Sequence, residues 1–179
     1  MLPRNHHPSG CAGGKLKASN RDYRKSNAET TLRFAPGDQA RQAAELFLGL
    51  PCEDHRARTA AALALCAALS RDAGISPLTS VEFVNRPEPH SHDGKRLRYK
   101  VQGRYKATRN GGILGGLDAD IKIYNLTAMR RQPRAALGAL TTLLHEWLHH
   151  YDTEKLRITT IHTSGFYSRL RELRAGLRV

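Results

Sequence analysis

A chain of 179 residues, 40% hydrophobic and 25% charged, has room for one domain with its own core. Its 29 Lys and Arg against 16 Asp and Glu give a formal net charge of +13, which favours a polyanion such as nucleic acid as partner. Three widely separated cysteines (Cys11, Cys52, Cys66), no signal-like opening and no apolar run longer than Ala60 to Leu69 exclude a disulfide framework and a membrane span, and point to a soluble protein of the reducing cytoplasm.

In chain order, residues 1–36 are rich in Gly, Ser, Asn, His and basic residues without hydrophobic period, and read as a disordered basic tail. His6 and His7 belong to that tail. Residues 37–179 form the domain. Gln39 to Leu50 reads as a short helix, and Asp54 caps a long one running to about Ala73, where Gly74 ends it. Thr79 to Asn85 is the first expected strand, followed by a loop from Arg86 to Gly94 that carries His90 and His92. Arg96, Arg98, Lys100, Arg104 and Lys106 alternate with Leu97, Tyr99, Val101 and Tyr105, the pattern of one strand with an apolar and a basic face. Such a face could run along a phosphate backbone, each neutralised phosphate releasing counterions. Arg169, Arg171 and Arg174 add charge further on. Gly111 to Gly116 forms a turn placed to act as a lip over a cleft, without the Lys-Ser or Lys-Thr of a phosphate loop. Asp118 to Asn125 is the last strand, and Ala119 to Leu126 is the segment best placed to serve as a substrate-binding sheet edge.

The chemistry is concentrated in the next segment. Pro133, Ala135, Ala136, Leu137 and Ala139 favour a helix, and Leu137, Leu140, Leu144, Leu148 and Tyr151 recur at helical spacing as a core stripe. On its flank lies His145-Glu146-Trp147-Leu148-His149. Residues four apart share a helix face, so both imidazoles reach one metal ion, with Glu146 beside them as general base. Zinc favours such nitrogen ligands, and a catalytic zinc takes three of them plus a water. His162 is the candidate third ligand, held just ahead of a helix that Thr163 or Ser164 caps and that Phe166, Leu170, Leu173 and Leu177 anchor. Asp152 shares the flank of His145 and His149. One turn further along the same helix it would be a strained ligand, and it is preferred as a carboxylate orienting a histidine or as a solvated residue. His150 points off the ligand flank.

Two segments, Leu144 to Tyr151 and His162-Thr163-Ser164-Gly165-Phe166, together resemble the SprT-like zinc metallopeptidases, which include the Spartan proteases. There an H-E-x-x-H helix is followed by a histidine opening an H-x-x-x-F helix. The resemblance covers roughly residues 115–177. It implies an α+β zincin-like fold with N-terminal helices, a small mostly antiparallel sheet, the H-E-x-x-H helix and a closing C-terminal helix. It also implies Zn2+ on His145, His149 and His162, Glu146 as catalytic base, and proteolysis of proteins associated with DNA. Many members add a four-cysteine zinc ribbon, which the three cysteines here do not make.

The expected reaction is hydrolysis of a peptide bond by a water that the zinc acidifies and Glu146 deprotonates. Tyr151 and Tyr167 are conceivable donors to the oxyanion, though Tyr151 fits the core stripe. Two other readings compete with a DNA-linked protease. One is a narrow-specificity zinc peptidase unrelated to DNA, and the other a non-enzymatic nucleic-acid-binding protein on a zincin scaffold.

Overall fold

A computed structural model describes residues 19–92, 97–109, 117–159 and 161–179. Within them the chain is α+β, with five α-helices and a small mixed sheet. The helices are α1 (Asn20–Ala28), α2 (Asp38–Gly49), α3 (His55–Ala73), α4 (Ala136–Tyr151) and α5 (Ser164–Leu177), and a π turn, Asp152–Leu156, extends α4. The strands are β1 (Ser80–Pro87), β2 (His90–His92), β3 (Leu97–Lys100), β4 (Gly103–Arg109) and β5 (Leu117–Leu126).

The helix ends follow the local chemistry. Asp54 Oδ1 accepts the Ala57 N–H at 2.9 Å to start α3. Gly74 ends it in the left-handed region at φ 61°, which a residue without Cβ adopts at no steric cost. Thr163 Oγ1 accepts the Phe166 N–H at 3.1 Å to start α5. Thr163→Ala should therefore cost about 1 kcal/mol of stability in a denaturant titration. The start of α4 is later than its composition suggests, because Pro133 is engaged in a bridge with Leu126.

The sheet order is β1-β5-β4, with β1 parallel and β4 antiparallel to β5. The central strand is thus β5, and the expectation of Ala119 to Leu126 as a sheet edge is corrected: the outer strands are β1 and β4. The helices cover one face only. Val81, Phe83, Ala119, Ile121 and Ile123 point into the core, where Phe47, Leu65, Leu69, Leu140, Leu144, Trp147 and Leu148 meet them fully buried. Each such side chain contributes roughly 1.5–3 kcal/mol by leaving water. Leu137, counted into the core stripe from its spacing, is instead 49% exposed in the first turn of α4.

Two further expectations change. The single basic strand from Arg96 to Ala107 is two strands, because the chain breaks step at Val101 and Gln102. There β3 turns away to pair with β2, in what was read as a loop, while β4 joins β5. Part of the expected tail is folded as well. Its first 18 residues, with His6, His7 and Cys11, lie outside those described, but residues 19–36 are folded. Ser19 and Asp22 form a reciprocal capping box on α1. Further on, Phe34 packs its ring 5.8 Å from Trp147 and 5.6 Å from Tyr151. No described helix is long and apolar enough to cross a membrane.

A buried polar pillar ties the start of α4 to the rest. Arg58 donates from Nη1 to Asn125 Oδ1 and to the Arg134 carbonyl, both at 2.8 Å. Arg134 in turn pairs with the buried Glu88 at 3.4 Å and donates to Gly138 O and to Thr142 Oγ1, at 3.1 and 2.8 Å.

Candidate metal centre

Helix α4 presents His145 and His149 one turn apart, and the segment leading into α5 brings His162 over them. The Nε2 atoms of the three rings form a triangle with sides of 2.9, 3.0 and 3.2 Å. Three neutral imidazoles gain little from one another in that arrangement. Unprotonated Nε2 atoms would converge lone pair on lone pair, and protonated ones would crowd three hydrogens into the same space. A cation at their centre satisfies all three. Tetrahedral nitrogen ligation at about 2.0–2.1 Å spaces ligand nitrogens roughly 3.3–3.4 Å apart, close to the observed sides. The three histidines therefore lie close enough to bind a metal ion, and they are the group among the described residues that does so.

The electrostatics agree with ligation. Burial, reinforced by the neighbouring His162, lowers the His145 pKa to about 4. Burial likewise holds His149 well below the ordinary imidazole range, with His145 and His162 adding to the effect. Both rings are thus unprotonated near neutrality, the form that ligates a metal. His162 is exposed and His145 half-buried, so the cluster opens to solvent on that side.

Phe166 forms the floor. Its ring stacks on His149 at 4.7 Å and meets His145 and His162 edge-on at 5.0 and 5.3 Å. The spacing of Phe166 with Leu170, Leu173 and Leu177 had marked it as a core position. Its second task is to fix the orientation of all three rings. His150 is no ligand. Its Nε2 donates to the Ser76 carbonyl at 2.7 Å, which leaves Nδ1 to accept from the Tyr105 hydroxyl at 3.3 Å. Tyr105, whose ring lies against His149 at 6.3 Å, is thereby pinned.

Glu146 is buried between α4 and β4. Burial raises its pKa to about 7, against the opposing pull of the Tyr105 backbone N–H, which donates to its carboxylate. A carboxyl group poised near neutrality is suited to exchanging a proton with a reacting group.

The remaining expectations are redistributed. Asp152 does not orient a histidine among the described residues. Its Oδ2 accepts from Arg169 Nη2 at 2.7 Å, both residues fully buried, so it braces the π turn against α5. Arg169 is accordingly an internal ion-pair partner, not a surface charge. Of the basic stripe, Arg96 lies outside the described residues, and of Arg98 only its place in β3 is described. Lys100 sits 3.7 Å from Glu88. Arg104 and Lys106 do share the solvent face of the sheet, but not with a continuous row of cations. Arg104 is registered on Lys122, which pairs with Glu82 at 3.2 Å, and Lys106 is registered on Asp120. That face mixes charges of both signs. The lip at Gly111 to Gly116 lies outside the described residues. Tyr151 is fully buried, its hydroxyl accepting the Arg33 N–H at 2.9 Å, whereas Tyr167 is exposed with its ring 6.0 Å from His162.

A different basic surface emerges on α5. Tyr167, Arg171 and Arg174 fall at i, i+4 and i+7, one helix face running away from His162, and Arg178 follows as the left-handed cap of the helix. Arg171 and Arg178 are exposed, and Arg174 is half-buried. Comparison of the chain with protein-family models, with curated proteins and with solved structures finds no match.

Proposed function

We propose that this protein is a zinc-dependent endopeptidase of the SprT-like, zincin type that hydrolyses peptide bonds in proteins associated with DNA. The observation that carries the reading is the convergence of three histidine Nε2 atoms, two from an H-E-x-x-H helix, next to a buried Glu146. Imidazole suits zinc, and three protein nitrogens with an open side suit a catalytic site better than a closed structural one. Zinc, when bound, supplies a Lewis acid and acidifies a water it holds.

The chain's own residues do the rest. His145, His149 and His162 hold the metal, and Phe166 keeps their rings in register. Glu146 takes the proton of the attacking water on its carboxylate and returns it to the leaving amine. The substrate strand has a place to lie along β4, an outer strand of the sheet on the side of α4. This moves the expected substrate edge from β5 to β4.

The DNA-linked part rests on the net charge of +13 and on the α5 face, where Tyr167 stands at the metal end of the arginine row. An aromatic ring followed by spaced arginines is a combination that suits single-stranded DNA, by stacking and phosphate contact. The test is zinc-loaded protein incubated with a basic DNA-binding protein, with and without single-stranded DNA. Cleavage that needs DNA supports the reading. Cleavage indifferent to DNA leaves a general zinc peptidase, and binding without cleavage leaves a nucleic-acid-binding module. Arg171→Ala/Arg178→Ala should weaken single-strand binding uniformly across sequences and reduce the slope of log K against log salt by about 1.4.

A further inference from the structure

We propose that Gly103 is the positioning residue for Glu146: the side chain it lacks is the space in which Glu146 lies beside the metal ligands. A Cβ built at Gly103 would sit 2.9 Å from each of three atoms, Glu146 Cγ, Ile123 Cδ1 and Thr142 Cγ2. Contacts that short force something to move. The backbone at Gly103 gives no other reason for glycine, because Gly74 is the glycine with positive φ among the described residues. In a strand interior a glycine costs stability through its extra unfolded-state entropy. The requirement at 103 is for room.

The three neighbours do not yield equally. Thr142 is fixed from two sides: its hydroxyl accepts from Arg134 Nη2 at 2.8 Å and donates to Gly138 O at 3.1 Å. Ile123 is fully buried in the central strand, opposite Phe83. Glu146 has the flexible side chain, and it is the one that must swing away. The same strand then holds what it makes room for. Two residues on, facing the same side, Tyr105 donates its backbone N–H to the Glu146 carboxylate. β4 therefore vacates a slot at Gly103 and supplies a hydrogen bond at Tyr105, fixing both the stem and the head of the base.

The catalytic consequence rests on the hydrolase reading above, while the position of Glu146 is measurable without it. Thr142→Ser removes Cγ2 but keeps the hydroxyl for Arg134, and Ile123→Val removes Cδ1. In that double background, G103A leaves Glu146 Cγ as the one still present of the three nearest atoms. The comparison is between the background with and without G103A, each loaded with zinc. Adding G103A should keep one zinc per chain and the thermal midpoint. It should also move the Tyr105 amide proton upfield to its position in Glu146→Ala, and lower kcat about 10²-fold at unchanged KM. An unmoved Tyr105 amide, or an unchanged kcat, would overturn the proposal. So would a fall in thermal midpoint with loss of zinc, which would make Gly103 a packing residue. If the parent protein cleaves no peptide, the hydrolase reading fails, and the Tyr105 amide still decides where Glu146 lies.

Discussion

Gly165→Ala should destabilise the protein by at least about 3 kcal/mol and weaken its hold on the metal, although alanine is the better helix former at that position. A Cβ there would run into the Ser26 carbonyl oxygen and lie 2.8 and 2.9 Å from those of Asn27 and Glu29. All three are backbone atoms at the end of α1, so α1 as a whole must move. It is fastened in several ways. Ser26 Oγ and Thr163 Oγ1 share a hydrogen bond at 2.9 Å, and Ser164 Oγ donates to Asn27 Oδ1 at 2.6 Å. Arg169 donates to the carbonyls of Ser26 and Glu29 as well as to Asp152. Displacing α1 strips the Ser26 and Glu29 carbonyls from a guanidinium with no solvent exposure that then keeps Asp152, and each hydrogen bond lost by a buried charged group costs about 1.5–3 kcal/mol. For a chain of this size a loss of about 3 kcal/mol is roughly 6–12 °C in thermal midpoint. The same contacts flank His162, so the metal should be lost to a competing chelator at lower chelator concentration. Gly138→Ala is the control. A Cβ there meets nothing within 4 Å, so the helix former should win and stability should rise by up to about 1 kcal/mol. A Gly165→Ala protein as stable as the parent would refute the account of how α1 is docked.

That contrast shows what the sequence made legible and what it hid. The helix bearing two of the clustered histidines was readable because two signals coincided, a leucine stripe of helical period and two histidines four apart beside it. His162 was readable through Thr163, since a capping residue announces where a helix starts and so what stands immediately before it. Helix α1 was not readable. It is polar, and it attaches through hydroxyls, a buried arginine and carbonyl oxygens facing a glycine, none of which leaves a hydrophobic period. The basic alternation misled for a different reason. Period two identifies strand residues but not where a strand changes partner, and the step at Val101 and Gln102 sends β3 to β2 and β4 to β5. Nor does spacing along one chain say which strand is central, which is why β5 was taken for an edge. Asp152 lay on the expected helix flank. Its partner was fixed by a residue 17 positions later, Arg169, whose charge looked superficial until α5 turned it inward.

The centre of the account is the division of labour between ligands and base, and Glu146→Gln separates them. Glutamine keeps the length of the side chain, fits the slot at Gly103 and can still accept the Tyr105 N–H, so the fold and the three histidines are left as they are. It cannot take a proton from water. General base catalysis by a positioned side chain contributes about 10²–10⁴-fold, and that is the expected loss in kcat. His149→Ala removes a ligand instead, and should lose the metal together with the activity. The measurement that tests the claim most directly is therefore turnover of an unfolded polypeptide alongside zinc content, for parent, Glu146→Gln and His149→Ala under the same loading. The account predicts one zinc and activity in the parent, one zinc without activity in Glu146→Gln, and neither in His149→Ala. A Glu146→Gln protein that cleaves at the parent's rate would contradict it.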